Sequence, residues 1–148
     1  MAIIYQSEGT NFPAIKRRKL SRWIKQVASL YGKKVDEIAY IFCSDNVILK
    51  MNLQYLQHNY YTDIITFDYS ENNTISGDIF ISVDTVKSNA KKFETDFEQE
   101  LNRVIIHGIL HLCGLKDETE EEKNMMREKE NEALSLMEKI GEGRGDEI

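Results

Sequence analysis

Apolar residues recur at two different periods along the chain, and each change of period marks the boundary of an expected element. Residues 2–5 and 37–43 are β-type runs. Between them Leu20, Trp23, Ile24, Val27, Leu30 and Tyr31 fall at helical spacing, and Thr10-Asn-Phe-Pro13 offers a cap and a first-turn proline, so a helix is expected from there to about Tyr31. Ser44-Asp45-Asn46 can cap a second helix reaching about Tyr55. Residues 63–69 and 75–83 flank the turn-rich Ser70-Glu-Asn-Asn-Thr74 and read as an antiparallel hairpin. A short helix is expected from Asp84 to about Phe93. Thr95-Asp-Phe-Glu98 then has the form of a capping box opening a longer one, whose apolar stripe is Phe97, Leu101, Val104, Ile105, Ile109 and Leu112 and whose stop is Gly114. Thr119-Glu-Glu-Glu122 repeats the box ahead of a last helix to roughly Ile140.

Length and composition place these elements in one ordinary domain: 148 residues with 41% hydrophobic and 30% charged side chains are enough to bury a core but short for two. The expectation is a single domain over 1–148, with the Gly-rich 141–148 a flexible tail. No run approaches the roughly 18 apolar residues that span a bilayer, and the first residues lack a signal pattern, so no membrane partner and a cytoplasmic location are expected. Cys43 and Cys113 are too few for a disulfide framework and read as core thiols. Met125, Met126, Leu134 and Met137 read as the core side of the last helix.

The net charge of -6 argues against a chain that coats nucleic acid through its overall field. Charge is nevertheless polarised, because residues 1–34 carry eight basic residues and one acid, Glu8. Lys16, Arg17, Arg18 and Lys19 fall in the expected early turns of the first helix, where cations oppose the macrodipole, so helix stability does not account for them. They are either a solvated face or a phosphate-contact surface. Residues 117–132, with eight acids and three bases, read as an exposed helical face.

The chemistry gathers on the helix that opens near Phe97. His107 and His111 are four residues apart, one above the other on a helix and about 6 Å apart, at the border of the apolar stripe where a cleft wall belongs. Gly114 allows the chain to reverse after the last turn, and three residues on Asp117 can return a carboxylate. Taken singly, each histidine is more simply a hydrogen-bonded structural residue. The pair, the stop and the acid together have the ligand count of a metal site, three protein ligands and one open position. Glu118 is an adjacent alternative to Asp117, which spacing favours. The zinc-protease pattern His-Glu-x-x-His places a general base after the first His, and that position here is Gly108. What remains is a hydrolase acting through a metal-bound water, with no other catalytic residue assigned.

His107-Gly-Ile-Leu-His-Leu-Cys-Gly114 resembles the His-Gly-x-Leu-His-Leu-x-Gly signature of the YbeY family of bacterial rRNA-maturation endoribonucleases. Asn52-Leu-Gln-Tyr55, Thr62-Asp-Ile-Ile-Thr-Phe67 and Gly77-Asp-Ile-Phe-Ile81 resemble further stretches of that family, in the same order. The resemblance implies an α+β, zincin-like fold, a mixed sheet of about four strands packed with helices, with the metal site on a helix of the C-terminal half. It implies one zinc ion and a single-strand-directed endoribonuclease. Its partners would be single-stranded rRNA and the small ribosomal subunit, and its work small-subunit rRNA 3′-end maturation and ribosome quality control. Two positions depart from the family pattern. The third histidine is replaced by Asp117, a ligand that makes the metal a weaker Lewis acid, and an arginine after the motif tyrosine is replaced by Leu56. Lys50, His58 and Lys116 are the candidate substrate-binding residues in its place. Two rival readings stand beside this one: a metallopeptidase or other zinc hydrolase, and a non-catalytic ribosome-associated RNA-binding module with a structural metal.

Overall fold

Parallel strands need a crossover between them, and here the first crossover is helical. In the computed structural model, which describes residues 2–56 and 62–140, β1 (Ala2–Glu8) leads through α1 (Arg17–Leu30) into β2 (Lys34–Cys43). The two strands pair parallel from Ala2 opposite Glu37 to Glu8 opposite Cys43. A second crossover carries α2 (Asp45–Met51), a wide helical turn at Asn52–Leu56, and β3 (Ile64–Asp68). β4 (Thr74–Ser82) then pairs parallel with β2 and antiparallel with β3, giving a four-stranded mixed sheet in the order β1-β2-β4-β3. Three helices complete the α+β fold: α3 (Val83–Lys92), α4 (Phe97–Leu112) and α5 (Glu120–Lys139). The tail at 141–148 and the candidate His58 lie outside the described residues. No described helix is long and apolar enough to cross a membrane.

Alternation along the strands sorts their side chains between two layers. Ile38, Tyr40 and Phe42 of β2 and Ile79 and Ile81 of β4 meet Trp23 and Ile24 of α1 and Ile105 and Ile109 of α4 in the main core. Cys43 and Ile65 face the other way, against Ile48 of α2. Two hydrogen bonds tie the helical layer together. Tyr40 Oη donates to the Ile105 carbonyl at 2.9 Å, and Trp23 Nε1 donates to the Ala133 carbonyl of α5 at 2.7 Å, both buried.

The expected elements are all present, with shifted ends. The first helix begins at Arg17 rather than near Pro13. Phe12 instead turns edge-on to Phe42 at 5.7 Å between ring centroids and Pro13 is buried, so these two residues serve core packing, not the first turn of the helix. The cap of α4 is Asp96, whose carboxylate accepts from Gln99 N at 2.7 Å, one residue later than the Thr95 box predicts. Thr95 Oγ1 bonds the Gln99 side chain. The Thr119–Glu122 box on α5 forms with both arms in place. Met126 is buried as expected, but Met125 points to solvent, because a helix face admits only one of two successive residues.

The Trp23 bond ties α1 to α5, and it lies one turn from the buried Glu130. Replacing Trp23 by Phe removes that donor and some core volume, and should lower the unfolding free energy by about 2 kcal/mol, measured by urea denaturation. A loss below about 0.5 kcal/mol would show that α5 is held by other contacts.

Candidate metal centre

Two glycines shape the helix end that carries the histidines. A Cβ on Gly108 would meet Ile79 Cδ1 at 3.1 Å and Ile64 Cδ1 at 3.2 Å, so α4 lies close on the sheet here and a longer side chain would have to push those isoleucines aside. The adjacent His107 and the following turn's His111 are thereby held at the rim, half-buried, with ring centroids 4.6 Å apart. Gly114 ends the helix at φ 109°, a left-handed conformation that favours glycine. Its N–H donates to the His111 carbonyl, and that of Leu115 to the Leu110 carbonyl.

The reversal returns Asp117 to the histidines. Its Oδ2 lies 3.3 Å from His107 Nε2 and 3.4 Å from His111 Nε2, and one ligand atom from each of the three side chains lies within 4.8 Å of the others. The remaining ring nitrogens are engaged elsewhere. His111 Nδ1 is 2.9 Å from the Leu115 carbonyl, which can only accept, so this nitrogen carries the proton. His107 Nδ1 is 2.7 Å from Glu130 Oε2. In the neutral rings both Nε2 lone pairs then point toward the Asp117 carboxylate. Three electron-pair donors facing one another repel unless a proton or a metal ion lies among them, and two imidazoles with one carboxylate are a donor set that suits zinc.

Glu130 comes from the middle of α5 and is buried. Burial alone would raise its pKa, but the hydrogen bonds from His107 and Arg103 outweigh it and hold the carboxyl below its usual range. Arg103 Nη1 donates to Glu130 Oε1 at 2.9 Å, and Nη2 to Asn131 Oδ1 at 3.0 Å. His107 shows the converse: burial opposes its charge, yet Glu130, Asp117 and Asp63 together raise its pKa. A metal binding at Nε2 has to displace that proton.

These groups line a cleft of about 710 Å³. Leu56 stands in its wall, as does Phe93, which is 54% exposed. Among the described residues Arg103 and Arg127 are its cations besides the histidines, and Asp63 and Glu100 are further carboxyls whose pKa values burial raises. Thus the structure brings His107, His111 and Asp117 together. It does not bring Lys50 or Lys116 into the cleft lining; both are exposed. Glu130, Arg103, Arg127 and Phe93 escaped the reading of the sequence. The acid run 117–132 is mostly an exposed face, but Glu130 shares the inner face of α5 with buried Met126 and Ala133, and that register is the signal that singles it out.

The family model described as Endoribonuclease YbeY matches residues 5–138. A Parabacteroides distasonis protein named Endoribonuclease YbeY is 60% identical over 93% of this chain and 96% of its own length. A Phocaeicola vulgatus protein of the same name is 61% identical over 91% of this chain and 98% of its own. The solution structure of a Thermotoga maritima protein superposes with a TM-score of 0.61 at 25% identity, covering 97% of this chain and 99% of that one.

Glu100 gives a pH test of the cleft's electrostatics. Its carboxyl binds a proton more tightly folded than unfolded, because burial, opposed by Arg103, disfavours its charge. Stability contributed by the protonated form is therefore lost as pH rises through the unfolded and then the folded pKa. Glu100→Gln should be more stable than the wild type at pH 7, with the advantage gone below about pH 4, where the carboxyl is protonated in both states. Urea denaturation at both pH values checks this, and an advantage that persists in acid would assign the effect to packing instead.

Proposed function

Because the chain belongs to the endoribonuclease YbeY family, we propose that it is a zinc-dependent endoribonuclease of the cytoplasm that cuts single-stranded RNA. Its work in this reading is small-subunit rRNA 3′-end maturation and ribosome quality control, carried by one domain. The observation that supports the metal-dependent part is the convergence of two Nε2 atoms and one carboxylate oxygen within 4.8 Å at the floor of a cleft. His107, His111 and Asp117 would hold the ion. Bound there, a zinc ion supplies Lewis acidity toward a phosphate and activation of water.

The chain's own residues do the rest. Glu130 keeps the His107 proton on Nδ1 and so presents Nε2 as a ligand, while the Leu115 carbonyl does the same for His111. Arg103 compensates the Glu130 charge, and the more exposed Arg127 offers a cation to an entering phosphate. Phe93 and Leu56 form an apolar rim on which an unpaired base can rest, which a paired strand would not offer. A peptidase of the His-Glu-x-x-His type would need its base at position 108, where Gly108 offers no carboxyl and packs closely against Ile79.

Elemental analysis and RNA cleavage by the wild type and two variants test this reading. The wild type should retain about one zinc per chain and cut single-stranded RNA but not peptides. His111→Ala should lose both metal and activity with its circular dichroism intact. Glu130→Gln should bind zinc roughly 10–100-fold more weakly. Full metal content in His111→Ala, or peptide cleavage with RNA left whole, would overturn the proposal.

A further inference from the structure

The run Lys16-Arg17-Arg18-Lys19 is continuous in sequence but divided by the helix it begins. At about 100° per residue, Arg18, Arg22 and Lys25 form one ridge, with Arg17 beside it. These four cations line a groove of about 840 Å³ between α1 and residues 3–6 of β1, and among the described residues no acid shares its lining. Lys16 and Lys19 turn instead toward a smaller hollow that Glu98 and Glu138 also line. β1 is the outermost strand of the sheet, so one of its sides is open to this groove.

The cost of placing these charges here is legible in the other helices. α2, α3, α4 and α5 each carry acids in the first turn, in accord with the macrodipole, and each has a side-chain cap. α1 has no acid in its first turn, opens with Arg17 and Arg18, and its Lys16 cap makes no side-chain bond. Each such cation costs up to a few tenths of a kcal/mol. Arg17 also stacks over Phe12 at 4.6 Å, which fixes the guanidinium in place.

We propose that this groove is a second RNA-binding site, which grips the phosphodiester backbone of a single strand away from the point of cleavage. The proposal rests on the endoribonuclease reading for the identity of its polyanion. Three of the four cations are arginines, the side chain whose planar fork matches phosphate oxygens. Among the described residues five carboxyl groups line the cleft against two arginines, so away from the metal site it offers a phosphate backbone little net attraction. The two sites lie toward opposite edges of the sheet, since β3 lines the cleft and β1 the groove; three strand spacings of about 4.8 Å separate those edges. Only an RNA long enough to cross the helical layer reaches both.

The test uses the full chain, zinc-loaded, and the triple variant Arg18→Gln, Arg22→Gln, Lys25→Gln, with a 2′-O-methyl single strand of about 30 nucleotides as the binding probe. If three phosphate contacts are lost, the slope of log affinity against log salt should flatten by about 2, at roughly 0.7 per contact. KM for a long RNA should rise roughly tenfold or more, while cleavage of a short oligomer that fills only the cleft stays within about twofold of the wild type. Arg18→Lys with Arg22→Lys should keep most of the slope. An unchanged slope, or equal losses on long and short RNA, overturns the proposal. Displacement of the probe by polyglutamate more readily than by RNA of equal charge also overturns it and assigns the groove to an acidic protein segment. A wild type that shows the slope change but cuts no RNA supports the groove and removes the endoribonuclease reading, so the two failures are distinguishable.

Discussion

A carboxylate taken out of water must be compensated where it lies, and Glu130 is compensated from two sides by one neighbouring helix. Arg103 meets one oxygen and His107 the other. Those two residues are four apart on α4, so a single turn of that helix presents both partners at the spacing a carboxylate can bridge. The arrangement sets the register of α5 along α4, since sliding by one residue would bury the acid without partners. It also sets the tautomer of His107. A structural need of the interior and a chemical need of the site are met by the same hydrogen bond, and removing either partner would leave a charge buried with half its compensation.

The sheet supplies the second constraint, which is distance. Gly108 lets α4 rest on Ile79 and Ile64 closely enough that the residues flanking it stand at the edge of the core rather than above it. A bulkier residue would lift the helix and carry His107 away from Glu130. Gly114 completes the geometry by turning the chain back within three residues, which is why Asp117, 37% exposed at its side chain, still reaches both rings. Hence the three candidate ligands come from eleven consecutive positions, 107–117, while the groups that orient the two rings come from a helix further along and from a turn carbonyl.

That division explains what could be read from the chain in advance. The histidine pair, the glycine stop and the returning acid are local in sequence, and local spacing places them. The hairpin and the Thr119 box are local as well. Glu130 is different: its burial depends on two side chains more than twenty residues earlier, and within an acid-rich run its type resembles that of its solvated neighbours. The start of α1 was obscured for a similar reason. Thr10 and Pro13 have the chemistry of a helix opening, but packing Phe12 against Phe42 wins over four more residues of helix. Leu56 reaches the cleft wall through a wide helical turn that no periodicity in the sequence marks.

Charge is arranged by the same logic on a larger scale. A site that gathers carboxylates to hold and orient a cation necessarily repels a polyanion, and the acid-rich α5 that provides Glu130 enlarges that field. Screening confines such repulsion to about 8–10 Å in physiological salt, so a strand can approach elsewhere on the molecule without opposing it. Basic residues within the cleft would compete with the metal for its carboxylates. Placed on α1, along the groove it forms with β1, the cations are kept apart from those carboxylates. In the proposed reading, the polarity visible in the bare sequence, basic at one end and acidic over the remainder, separates the groups that would hold a divalent ion from those that would bind RNA.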